Sequence, residues 1–537
     1  MTTTFPQREN GLPPWDIAEL PEPKPLGLRN WTSFIGPGIV MMGIQIGGGE
    51  WLSGPAITAK YGGGLMWLAT IAIITQVFYN IECGRYALYC GEPIFSGFMR
   101  CRPGPRFWIG VMLVMNVSAL IPGLLTHGAT MIAALYLDRP PTKDDSWLID
   151  PLAYGSLFAV ALPMLIGGKV YNMLQAVMTA KVFIVLGFCL AIGVTCVSYE
   201  SWWNVFSGFA KFGNVPVSDA NGREIVVNAV AHRWETGEWP IVSAASFIML
   251  GTFIGYAGGG GLSNSTYSNF VRDKGWGMGQ QVGAIPSVVS GHTVTLSHVG
   301  KVFELTTDNL RRWKGWWRYI LTDQVLVWAP GCFMGMALPS LLSMQFARYS
   351  TITTEKQMEV AQSIITSDGI RNAEFFGPTT AKILWIAALF TGMMVMFPSQ
   401  MAIVDDFSRR WTDAIWTGNR RVRESMKSHQ VKWIYYSILG TYVTWSFVCV
   451  YLFRSRPKLM TDIISNLNNV ALGATSFQLL WVNHTLLPLA LRPRWYNTVG
   501  VIACGLFYLS VATLVFSFNI WPALLKYVQV VPVQVAT

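Results

Sequence analysis

Residues 43–54 read Gly43-Ile44-Gln45-Ile46-Gly47-Gly48-Gly49-Glu50-Trp51-Leu52-Ser53-Gly54, and residues 255–265 read Gly255-Tyr256-Ala257-Gly258-Gly259-Gly260-Gly261-Leu262-Ser263-Asn264-Ser265. Each is a glycine cluster set inside an apolar run. Glycine frees the backbone from the helical ladder. In hydrocarbon, freed amides and carbonyls must be buried in protein or line a polar cavity. The half-helix ends then present partial charges, positive at N-termini and negative at C-termini. A single glycine-rich span fits close helix packing. Two, with five spans between the starts of their units, predict an inverted repeat with paired discontinuous helices, the pattern of a secondary transporter with a midplane site.

The composition agrees. The chain has 537 residues, 52% of them hydrophobic and 13% charged, against about 25% charged in soluble domains. That excludes a soluble enzyme, a secreted disulfide scaffold and a disordered chain. Runs of about twenty apolar residues exclude an outer-membrane barrel, whose strands alternate. We read eleven spans: 33–56, 64–90, 107–137, 150–167, 170–198, 241–264, 318–344, 379–404, 432–453, 461–490 and 496–520. The net charge of +10 comes from Lys and Arg in alternate loops and calls for no nucleic acid. Loop 405–431 carries Arg409, Arg410, Arg420, Arg421, Arg423 and Lys427, so the positive-inside rule predicts N-terminus inside and C-terminus outside. The expected organisation is a cytoplasmic tail (1–30), a transmembrane domain (31–520) and a short C-terminal tail (521–537). Long loops are expected outside at 199–240 and inside at 275–317. The first span serves as targeting signal in place of a cleaved leader, and a bacterial cytoplasmic membrane is the expected location.

Ionisable groups inside spans mark candidate sites, because a carboxylate there costs about 2.5–3.5 kcal/mol even on lenient scales. Glu50 is a cation ligand, a proton carrier or an acceptor for amides of the broken helix. Gln45, Tyr256, Ser263, Asn264 and Ser265 supply neutral oxygens nearby. His127 is a proton relay or a core histidine. Glu82 and Arg85 are spaced for a helical ion pair. Lys181 pairs with an acid or faces a cavity. Ser399 and Gln400 face the pore after Pro398, while Asp405 and Asp406 close against Arg409 and Arg410 at the membrane surface. Asn466 and Asn469 share a polar face on the tenth span. Trp202, Trp203, Trp234 and Trp239 read as an interface belt. The inside loop carries His292, His298 and the run Arg311-Arg312-Trp313-Lys314, which reads as a headgroup anchor or a regulatory gate. The eight cysteines form no CxxC pair and read as packing residues. No nucleophile elbow, HExxH or Walker sequence is present, so neither an enzyme nor an ATP-driven pump is expected, and no cofactor.

Gly36-Pro37-Gly38 followed by the Gly47-Gly48-Gly49-Glu50 break and Trp51, together with Leu250-Gly251-Thr252 before Gly255-Tyr256-Ala257, resembles the Nramp-type divalent metal transporters. The stretches Gln76 to Arg85, the eighth span, and Leu487-Pro488 to Arg492-Pro493 are also similar, so the resemblance covers roughly residues 30–520. It implies an all-α polytopic membrane protein with a LeuT-like five-plus-five inverted repeat, discontinuous first and sixth helices, and an eleventh helix. That family's first break reads Asp-Pro-Gly-Asn and its sixth Met-Pro-His. Here the aspartate falls on Gly47, the asparagine on Glu50, the methionine on Gly255 and the histidine on Ala257. The acids of the third helix fall on Pro122 and Leu125. The soft thioether that favours transition metals is absent.

The expected site is therefore Gly47, Gly48, Gly49, Glu50, Gly255, Tyr256, Ala257, Gly258, Gln400 and Asn469 for substrate, with Glu50 as metal ligand and Glu50 and His127 in proton coupling. The resemblance implies a secondary transporter of a cation, a divalent metal ion first, held by Glu50, carbonyls and water. A proton- or Na⁺-coupled transporter of a small organic solute is the rival, and a transport-inactive sensor a third reading. The lipid bilayer and the carried ion or solute are the expected partners.

Overall fold

The computed structural model describes residues 11–25, 27, 36–165, 170–219, 221, 223–244, 246–286, 295–352, 362–452 and 457–530. His292 and the first residues of the expected first span lie outside them. The fold is an all-α polytopic membrane protein. Among the described residues, seven helices are long and apolar enough to cross a membrane. An eighth span qualifies only when Gly49–Leu65 and Trp67–Cys90 are joined across a 98° bend.

The elements that build the centre are α1 (Pro37–Gln45), α2 (Gly54–Tyr61), α3 (Trp67–Cys90), α4 (Pro105–Met115), α5 (Gly123–Leu137), α6 (Ser146–Ala161), α7 (Val170–Cys196), α8 (Ser246–Tyr256), α9 (Tyr267–Lys274), α10 (Thr307–Tyr349), α11 (Pro378–Gly418), α12 (Val431–Leu452), α13 (Pro457–Leu486) and α14 (Trp495–Val515). Proline opens α1, α2, α4 and α11, where its missing N–H is an orphan in any case. The first expected span (33–56) takes in α1 and only the start of α2, which runs on to Tyr61; the sixth (241–264) takes in α8 and stops short of α9. The tenth, α13, carries buried Asn468 and Asn469.

Several expected boundaries move. The third span is not one helix: α4 ends at Met115, a 3₁₀ turn covers Val117–Leu120, and α5 restarts after Pro122. Proline disfavours the helical region for the residue before it. The seventh helix starts at Thr307, eleven residues before the expected 318, with Thr306 capping it by accepting from Asn309 N. The eighth runs on to Gly418, well past the expected 404. The last helical stretch reaches Val530, so part of the expected C-terminal tail is helix.

The segment 199–240 is built structure. A helix Tyr199–Gly208 precedes an antiparallel hairpin of β2 (Asn214–Ser218) and β3 (Glu224–Asn228). Trp203, Trp234 and Trp239 are exposed, whereas Trp202 donates to the Gly193 carbonyl at 3.0 Å and stacks on Phe206. Part of the expected N-terminal tail is a strap: β1 (Asp16–Ile17) pairs with β4 (Lys301–Val302), and Leu20 is fully buried. The Arg311–Lys314 run, expected at lipid headgroups, helps hold that strap. Arg312 donates to the Leu20 carbonyl at 2.7 Å, and Trp316 to that of Pro21 at 2.8 Å. His298 stacks on Trp416 with ring centroids 3.6 Å apart. All eight cysteines are unbridged.

Candidate functional site

The two breaks differ in backbone. At the first, a π-turn over Gly49–Ser53 joins α1 to α2 with only a short irregular stretch at Ile46–Gly47. At the second the chain unwinds from Ala257 to Gly260, and Gly258, Gly260 and Gly261 have φ of +81°, +86° and +62°. Only glycine takes that left-handed region without penalty. The breaks also touch: a Cβ on Gly49 would overlap the Tyr256 carbonyl.

The freed backbone groups find side chains. Glu50 is fully buried, and its carboxylate accepts from Gly258 N at 3.2 Å and from Gly47 N at 3.5 Å. It thus bridges the two breaks. Gln76 on α3 donates to the Ala257 carbonyl at 2.7 Å, and Asn264 accepts from Gly260 N at 2.9 Å. Asn264 in turn donates to Gln76 and Asn80, and Asn80 to Gln324 on α10. Asp323 closes the chain by accepting from Gly38 N at 2.9 Å and Tyr267 at 2.8 Å. Gln45 accepts from the Trp328 indole. A ladder of amides thus replaces the lost helical bonds, as buried polar groups require.

Beside the breaks lies a small cavity of about 60 Å³. Ile44, Gln45 and Gly48 line it from the first break; Tyr256, Gly259, Leu262 and Ser263 from the second. The interrupted third helix adds Asn116 and Ser118, α11 adds Gln400 and Arg410, and α13 adds Asn468. Of the expected substrate residues, Gly48, Tyr256 and Gln400 are in this lining. Gly47, Gly49, Glu50, Ala257 and Gly258 belong to the contact behind it. Gly255 packs against the Ser465 carbonyl on α13, and Asn469 donates to the Gly251 carbonyl at 2.9 Å. His127 is buried on α5 and is not in the lining. Asn116 and Ser118 were not expected. Their signal was Pro122, a helix breaker inside an apolar run.

Charges near the site are paired. Lys181, fully buried, donates to Ser399 Oγ at 2.5 Å, and Ser399 donates to the Ile44 carbonyl at 2.9 Å. The expected pair Glu82–Arg85 is present at 2.7 Å, with Asn483 and Asn497 also donating to Glu82. Asp405 and Asp406 pair with Arg409 and Arg410 as expected, and all four are buried in the protein. Arg409 also reaches Asp273 at the end of α9. Arg272 bridges Asp273 and Asp413 at 2.7 and 2.6 Å. This ionic layer ties α9 to α11. At the opposite ends of the broken helices, Glu224 of the hairpin accepts from Tyr61 at 2.6 Å and Ser246 at 3.0 Å, and pairs with Lys60. It clasps the end of α2 to the start of α8. Among the described residues, no group of three His, Cys, Asp or Glu is placed to hold a metal ion.

No family model and no curated protein matches the chain. Solved structures do. A mutant of the manganese transporter of Eremococcus coleocola aligns at 12% identity over 96% of this chain and 95% of that one, with a TM-score of 0.61. A second mutant of it gives 0.60 at the same identity and coverage. The same transporter in complex with an aromatic bis-isothiourea substituted compound gives 0.59. The likeness is one of fold, over nearly the whole of both chains.

Proposed function

We propose that the chain is a secondary transporter that holds a small polar cargo in the cavity between its two helix breaks and exposes that cavity to the two sides of the membrane in turn. The observation that carries this is the meeting of two interrupted helices at Glu50 and Gly258, beside a cavity to which both contribute. Discontinuous helices at corresponding positions are the device by which membrane transporters build a midplane site. The layer around Arg272 and Arg409 at one end, and the Glu224 clasp at the other, are contacts that must loosen alternately if α8 and α9 are to move. The N-in, C-out orientation and the bacterial cytoplasmic membrane remain part of this proposal, as does the division into tails and a single transmembrane domain.

For the cargo we infer a small organic solute. Among the described residues, Arg410 is the one charged residue in the lining, and Asp406 pairs with it. The Glu50 oxygens are turned to backbone amides. A divalent cation here would meet no unpaired carboxylate from the described residues of the lining, whereas hard cations draw on several oxygen ligands, carboxylates among them. The second reading is a divalent metal ion. It is favoured by the fold shared with solved manganese transporters and by Glu50 at the first break, which would become a ligand if it let go of the amides. Proton coupling through Glu50 or His127 belongs with either reading.

Uptake into proteoliposomes separates the readings. Mn²⁺, Mg²⁺ and Ca²⁺ are offered beside labelled small amines, acids and amides, with and without an inward proton gradient, for wild type and Glu50→Gln. Saturable uptake of an organic solute and none of the metals is the expected result. Saturable metal uptake lost in Glu50→Gln would establish the second reading. No uptake of any probe by folded, inserted protein would contradict transport altogether.

A further inference from the structure

Arg410 sits in the cavity lining, 2% exposed, with an incomplete set of partners. Its Nη2 pairs with Asp406 Oδ2, and its Nε donates to the Asp406 carbonyl at 3.3 Å. Its Nη1 is buried and has no partner among the described residues. The nearby arginine on the same helix differs: Arg409 reaches both Asp405 and Asp273. A buried guanidinium nitrogen without an acceptor is costly, and the guanidinium is always charged. Asp406 also accepts from Thr266 and from Ser263 at 3.3 Å, and its carboxylate meets the guanidinium through Nη2, not Nη1.

We propose that Arg410 Nη1 is the anchor for an anionic oxygen of the cargo, and that the cargo is a small organic carboxylate. This deepens, and rests on, the reading of the cavity as the transport site. A single free nitrogen beside an already bound aspartate suits one negative charge. A phosphate dianion would face repulsion from Asp406 across the same guanidinium. The lining holds a second unpartnered group of opposite polarity. Tyr442 gives its proton to the Ala119 carbonyl at 2.7 Å, so it accepts from Gln400 Nε2 at 3.4 Å, which leaves Gln400 Oε1 buried and without a donor among the described residues. Ten residues separate Gln400 from Arg410 on α11, about 15 Å along a helix axis. The carboxylate of the cargo is therefore at Arg410, and Gln400 Oε1 lies farther along the cavity, outside the contact made there.

The test is thermal stabilisation of the purified full chain in detergent. The probes are lactate, propionate and alanine, each beside its methyl ester, with inorganic phosphate and Mn²⁺ as further arms, for wild type, Arg410→Lys and Gly48→Val. Lysine keeps a charge for Asp406 but lacks the fork's second nitrogen. The expected result is that at least one acid stabilises the wild type, that its ester binds about tenfold or more weakly, and that Arg410→Lys erases the difference. Equal stabilisation by acid and ester in wild type overturns the carboxylate anchor even if Arg410→Lys does not fold. So does stabilisation by phosphate alone, or by none of the acids. Gly48→Val narrows the cavity against the Tyr256 ring. If acid and ester bind alike and Gly48→Val abolishes both, the anchor is wrong and the cavity reading stands. If binding is indifferent to Gly48→Val, the cavity reading itself falls.

Discussion

The first break and the second start from similar glycine-rich text and solve the same problem differently. The first keeps most of its helical bonding through a π-turn and draws one outside side chain, Ser399 of α11, onto the Ile44 carbonyl. The second unwinds on three glycines with positive φ and draws its partners from elsewhere: Glu50 from the first break, Gln76 from α3, and Asn264 from its own following turn. Glycine count alone does not decide how far a membrane helix opens. The supply of side chains able to satisfy the freed backbone does. The second break is thus the more dependent of the two, and a change at Glu50 acts on both at once.

The sharpest way to break this contrast is to add one methyl group to each break. Gly260→Ala puts a Cβ at positive φ, at about 1–2 kcal/mol, and into the Gly255 carbonyl. Gly48→Ala approaches only the Tyr256 ring, at 3.1 Å. We expect Gly260→Ala to lose the folded protein or its uptake, and Gly48→Ala to melt within a few degrees of wild type. Equal melting temperatures for the two would remove the distinction. Next in size is Glu50. Glu50→Ala orphans Gly258 N and Gly47 N, at about 1–3 kcal/mol for each buried donor, while Glu50→Gln retains one acceptor oxygen. Melting should fall in the order wild type, Gln, Ala; an alanine variant as stable as wild type would deny Glu50 its bridging role.

The smallest effect is at the far ends of the same helices. Partial burial pushes the Glu224 carboxyl up, but hydrogen bonds from Lys60, Tyr61, Ser243 and Ser246 outweigh it and bring it down to about 2. A depressed carboxyl stabilises the fold above its ordinary value and ceases to do so as pH falls through the depressed one. The clasp should therefore hold from neutral pH to about 4.5 and be lost toward pH 2. Hydrogen exchange of residues 214–228 reads this directly. Protection that is flat down to pH 2, or lost already near pH 6, would assign the clasp to other contacts.

These differences also mark what the sequence made legible. The two interruptions could be read because a run of three or four glycines has no use in an unbroken membrane helix, and most spans followed from hydropathy alone. Glu50 could be found but its role could not, since its partner amide is 208 residues away. Asp405, Asp406, Arg409 and Arg410 looked like the end of a span because four charges in six residues usually meet water. Pairing at i, i+4 and the reach of Arg409 to Asp273 let α11 continue through them instead. Asn116 and Ser118 were hidden by the apolar residues around them. Arg410 was assigned wholly to its aspartate partner, because a sequence shows which charges are neighbours and not which nitrogen is left over.

The most direct test of the central claim, that cargo is held between the two breaks, is proteoliposome uptake by wild type and Gly48→Val, with equal insertion shown for both. We expect that whatever solute the wild type accumulates, Gly48→Val accumulates none, because the added side chain occupies the space beside Tyr256. Uptake at wild-type rates by Gly48→Val would place the transport path elsewhere.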